Sequence, residues 1–62
     1  MSKLLIYPDR TSEYRWKLID DNGRIIANGG EAFFDANGVE RSIENVRTEM
    51  ERAEVLRLSP EK

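Results

Sequence analysis

The dipeptide Asn22-Gly23, set between two runs of strand-forming residues, constrains this chain more than any other feature. Before it, Glu13 to Asp20 alternates, with Tyr14, Trp16 and Leu18 on one side and Glu13, Arg15 and Lys17 on the other. A period of two that includes aromatics marks a half-buried strand. After it, Arg24 to Ala27 carries Ile25 and Ile26, and Asn28-Gly29-Gly30 ends the run. Asn and Gly both accept the positive φ of a two-residue type I′ turn, so the two runs are expected to form a hairpin. Lys3 to Tyr7 is a further apolar run, halted at Pro8, which cannot donate to a sheet ladder. Residues 8–12 are polar turn formers and link that strand to the hairpin as a loop.

The period then changes. Val39, Ile43, Val46 and Met50 recur at spacings of four, three and four, with Ala36 and Ala53 extending the row. That is one apolar stripe on an α-helix. Asp35 stands where its carboxylate can accept an orphan N–H of the first turn. Asn37 and Gly38 weaken that turn, and the helix is expected to end near Arg52. Beyond it, Val55, Leu56 and Leu58 precede Ser59-Pro60. A short fourth strand over 54–58 is the expectation there and a helical extension the alternative, because the proline stops a helix. The fold class is therefore α+β, a three-stranded antiparallel β-meander packed on one helix, with the order β-β-β-α-β. Residues 1–62 make a single domain, structured over about 3–58, with a disordered tail at 59–62.

Sixty-two residues build a small core, worth roughly 3–5 kcal/mol without outside help. Cysteine and histidine are both absent, so disulfides, thiol chemistry and zinc clusters are excluded. No D-x-D-x-D-G spacing marks a calcium loop, and no cofactor is implied. Self-association is the remaining source of stability. The longest apolar stretch near the N-terminus, Leu4-Leu5-Ile6-Tyr7, is too short for a signal-peptide core or a membrane span, and a cytoplasmic location is expected. The formal net charge of −2 departs from the basic excess usual in nucleic-acid binders.

One sheet face collects Leu4, Ile6, Tyr14, Trp16, Leu18 and one of Ile25 or Ile26, which the helical stripe can cover. Trp16 should lie at the centre of that core. The other face carries Leu5, Tyr7, Arg15, Lys17 and Ile19. Apolar residues there mix with Arg and Lys stems that can themselves cover apolar surface. An ordinary solvated face has such a composition, and so does a contact surface for a second chain. The candidate interaction surface is Leu5, Tyr7, Arg15, Lys17, Ile19 and Arg24, together with Val55, Leu56 and Leu58 at a sheet edge.

Catalytic chemistry has little to stand on. Glu13 and Glu31 could serve as acid and base, yet nothing in the sequence places them together. Ser2, Ser12, Ser42 and Ser59 have no neighbouring base. Gly29-Gly30 lacks the lysine and helix of a phosphate loop and fits a strand exit that needs positive φ. Arg15, Lys17 and Arg24 with Tyr7 and Tyr14 form a weak version of a base-stacking sheet. From Glu31 to Glu54, seven acidic residues face three arginines, which reads as a solvated acidic helix face and argues against nucleic acid as a partner.

The segments Glu13-Tyr14-Arg15-Trp16 and Asn22-Gly23-Arg24-Ile25-Ile26-Ala27, with Gly38-Val39-Glu40 and Ile43-Glu44-Asn45-Val46-Arg47 later on, resemble the YegP-like family of small domains of unknown function. The resemblance spans about residues 5–48. It implies a β-β-β-α unit, often in two tandem copies, whereas this chain has one. A single copy is then expected to pair with another, giving a homodimeric, non-enzymatic interaction or structural module. The chain departs from the family at Ala32-Phe33-Phe34-Asp35-Ala36, where Gly-Tyr, small polar residues and a lysine are usual. The family brings no catalytic residues to carry over.

Overall fold

In the computed structural model, which describes residues 1–60, three strands precede one helix: β1 (Lys3–Pro8), β2 (Tyr14–Ile19), β3 (Ile25–Asn28) and α1 (Ala36–Arg52). The strands form one antiparallel sheet in the order β1-β2-β3, the expected meander. Leu4 pairs with Leu18 and Ile6 with Trp16, so these four side chains share a face. The helix lies on that face, and Trp16 and Val39 are the buried centre of the core. Asp35 caps the helix as expected: its backbone is extended and its Oδ1 accepts the Gly38 N–H at 2.9 Å.

Both hairpin loops are built on the same aspartate device. In the second, the Asp20 carbonyl accepts the Gly23 N–H at 3.0 Å and the Asp20 N–H donates to the Arg24 carbonyl at 2.9 Å. Gly23 has φ 84°, and Asn22 keeps a negative φ. The expected two-residue type I′ turn is therefore a three-residue loop, a type I turn followed by a left-handed residue. The Asp20 carboxylate selects it by accepting the N–H groups of Asn22 and Arg24, each at 2.9 Å. The first loop repeats this at Asp9, whose carbonyl accepts the Ser12 N–H at 3.1 Å, with Ser12 at φ 68° in the place of Gly23.

Three further expectations change. The β2–β3 register slips between Leu18 and Ile19: Leu18 faces Ala27 while Ile19 faces Ile25. Ile26 is the extra residue of a bulge. Ala27, rather than Ile25 or Ile26, consequently joins Leu18 on the helix side, and both isoleucines remain 56% exposed. Neither Gly29 nor Gly30 has positive φ; Gly29 instead lies against the Trp16 indole. Finally, the short fourth strand over residues 54–58 is not formed. The helix ends at Arg52, Ala53 is extended (φ −73°, ψ 144°), and residues 54–60 pair with none of the three strands. Of the tail expected to be disordered, Glu61 and Lys62 lie outside the described residues.

Candidate interaction surface

The sheet face away from the helix assembles as read. Leu5 pairs with Lys17, Tyr7 with Arg15 and Lys3 with Ile19, which brings Leu5, Tyr7, Arg15, Lys17 and Ile19 together. All five are half-buried, although the helix packs on the opposite face of the sheet, against Trp16. Their own long side chains cover one another. Lys17 Nζ sits 4.9 Å from the centre of the Tyr7 ring. Arg15 Nε donates to Asp9 Oδ2 at 2.8 Å. Asp9 Oδ1 also accepts from the Thr11 N–H at 2.8 Å, the Thr11 hydroxyl at 2.7 Å and the Glu13 N–H at 3.1 Å. The Arg15 guanidinium first, then these donors, hold the Asp9 carboxyl well below the ordinary carboxylate range. Arg24 is not on this face: it is exposed at the second loop, 3.7 Å from Asp20 Oδ2. Each of the three basic groups thus has a partner within the chain.

The open apolar surface lies on the helix side. The helix covers Trp16 but does not close down on the rest of the sheet. Between them runs a cavity of about 230 Å³ lined by Leu4, Trp16, Leu18, Ala27, Ile43, Val46, Arg47 and Met50. A second, of about 400 Å³, continues it past Trp16, Ala27, Val46 and Met50 toward Gly29, Gly30, Glu31 and Phe33. Together they make one trough between α1 and the β3 edge. Its floor is the indole of Trp16, and Met50 at its rim is 75% exposed. Sequence periodicity assigned Leu4 and Met50 to a closed core. The short β3, its bulge and the small Ala27 leave that side unfilled, and none of these has a periodicity signal.

Val55, Leu56 and Leu58 stand apart from both faces, 94%, 68% and 84% exposed. They follow soon after the helix, which ends at Arg52, two residues past Met50 at the rim of the trough. The chemistry-bearing residues remain scattered. Tyr14 and Phe33 form an antiparallel bridge, with N–H to carbonyl distances of 2.8 and 2.9 Å, and Glu13 and Glu31 fall on opposite sides of it. Among the described residues no group of three or more potential ligands is placed to hold a metal ion, and no helix is long and apolar enough to cross a membrane.

A family described as "Domain of unknown function (DUF1508)" matches residues 9–56. A solution structure of a protein from Haloferax volcanii is similar throughout: it is 30% identical, with a TM-score of 0.83 over 92% of this chain and 95% of the other. No curated protein matches the chain.

Proposed function

This chain belongs to the DUF1508 family, the YegP-like domains of unknown function, and on that premise we propose that it is a non-enzymatic homodimeric module, working through contact between copies. The surface area carries the proposal. The chain exposes 5716 Å², whereas a folded monomer of 7.2 kDa exposes about 4,100 Å². Its radius of gyration is 14.0 Å, against about 11 Å for a folded domain of this length. The excess of about 1,600 Å² is larger than the roughly 800 Å² that each partner contributes to a standard interface, and falls in the range of permanent dimers.

The excess is also apolar where it matters. Met50, Val55, Leu56 and Leu58 are all largely exposed in the single chain. Burying Val55, Leu56 and Leu58 contributes roughly 5–9 kcal/mol per protomer before ordering costs are subtracted, which compares with the whole intrinsic stability of so small a core. A nucleic-acid role through Arg15, Lys17 and Arg24 has less support, because a carboxylate or a ring already engages each of them. Size-exclusion chromatography with light scattering at micromolar concentration tests the proposal. A mass near twice 7.2 kDa is expected, and a monomer mass refutes it.

A further inference from the structure

We infer that the trough over Trp16 is filled by residues Val55–Leu58 of a second copy of this chain, the two copies exchanging these segments reciprocally about a two-fold axis. The inference rests on the self-association proposed above and names its contact.

The chain carries both halves of that contact. The trough is apolar, open, and bordered by β3, which is an edge strand with unpaired backbone groups on its outer side. After the helix Ala53 is extended, and Val55, Leu56 and Leu58 present their apolar side chains to solvent. Once extended, Leu56 and Leu58 project from one side, at the spacing that places two side chains in one groove. Arg47 on one rim and Glu31 on the other face a segment that carries Glu54 and Arg57, so both charge signs are available on each side.

The same geometry directs the segment to another copy rather than to its own trough. A chain that turns back on its helix ordinarily uses a left-handed residue, most often glycine, just past the last turn. Here Ala53 is extended and Glu54 follows it, so the segment leaves along the helix, and the molecule is 40 Å long against 27 Å in its other dimensions. A two-fold exchange meets both needs at once, since each copy lends one segment and receives one.

Isotope-filtered NOE spectroscopy on a mixture of labelled and unlabelled full-length chains tests this directly. Cross-peaks are expected between the Leu56 and Leu58 methyls of one chain and the Trp16 indole and Ala27 methyl of the other. The double variant L56D/L58D is expected to raise the dimer dissociation constant at least 100-fold. A dimer without those interchain cross-peaks, whose mass L56D/L58D leaves unchanged, overturns the exchange while self-association stands. Cross-peaks found only within one chain overturn it too, by placing each segment on its own trough. A monomeric wild type removes the proposed function itself. Should L56D/L58D fail to fold, the cross-peaks of the wild-type mixture still decide.

Discussion

Replacing Gly29 by alanine should destabilise this protein, whereas the same change at Gly30 should not. A Cβ built on Gly29 would lie 2.8 Å from Trp16 Cε2 and 2.9 Å from Cδ1, and nearer still to Nε1. Carbon atoms in contact sit about 3.5–4.0 Å apart, so the ring must retreat by the better part of an ångström. On the core side its retreat is limited, because Trp16 is buried, with Val39 in the same core and Ile6 beside it on β1. The Gly29 backbone cannot yield either, since its N–H donates to the Trp16 carbonyl at 3.2 Å. Overpacking of this kind costs about 1–3 kcal/mol, and the stiffer unfolded chain returns about 0.4–1 kcal/mol. A net loss of about 1–2 kcal/mol, with an unfolding entropy of about 2.1 cal/mol/K per residue, lowers Tm by roughly 8–16 °C in a domain of this size. A Cβ on Gly30 meets nothing within 4 Å, so only the unfolded-state term acts and Tm should rise by roughly 3–8 °C. Thermal melts followed by far-UV circular dichroism and Trp16 fluorescence, all at one protein concentration, measure both. Coincident melting curves for Gly29→Ala and Gly30→Ala would refute the reasoning.

Three other outcomes follow from the core and the loops. Trp16→Ala should leave no cooperative transition in the monomer, because deleting a buried tryptophan costs about 3–5 kcal/mol, as much as the core supplies; a melt close to that of the wild type counts against it. Ser12→Gly should stabilise by up to about 1 kcal/mol, since it relieves a left-handed residue of its Cβ, while Gly23→Ser at the matching position of the second loop should destabilise by a similar amount; urea midpoints at constant slope distinguish them. Asp9→Asn should lower stability at neutral pH. The Asp9 pKa is depressed on folding, so its contribution is fully present above the unfolded value near about 4 and fades as pH falls through the folded value. The gap in stability between wild type and Asp9→Asn should therefore close on acidification, and a gap that persists unchanged at pH 2 excludes the ion pair as its source.

The elements were legible because each rests on a local rule. The alternation from Tyr14 to Leu18, the stop at Pro8, the cap at Asp35 and the stripe from Val39 to Met50 depend on residues a few positions apart, and the strands and helix appear where these put them. Asn22-Gly23 likewise marked the hairpin, but the turn type depended on the Asp20 carboxylate and on which N–H groups it captured. The slip at Leu18 and Ile19 is a matter of strand pairing and leaves no periodic trace; it moved Ala27 into the place expected of Ile25 or Ile26. Leu5, Tyr7, Arg15, Lys17 and Ile19 share one face of the sheet, an arrangement that alternation alone assigns. That they cover one another, and that the helix side is the open one, depends on side-chain reach and on how far a four-residue β3 extends under the helix.

Taken alone, the sequence determined the kinds of element, their order, the absence of thiol and imidazole chemistry, and the family to which the chain belongs. Those properties are encoded in short spacings and in composition, where the physics is that of one strand, one helix or one turn. Only the tertiary structure decided that Trp16 is covered while the trough beside it stays open, and that Val55 to Leu58 leave the helix without a strand to join. Register, bulge and helix placement are settled by distant parts of the chain competing for the same surface. The hairpin at Asn22-Gly23 shows both sides of this: a local signal placed the turn, and the pairing of the strands it joins fixed which side of the sheet was left uncovered.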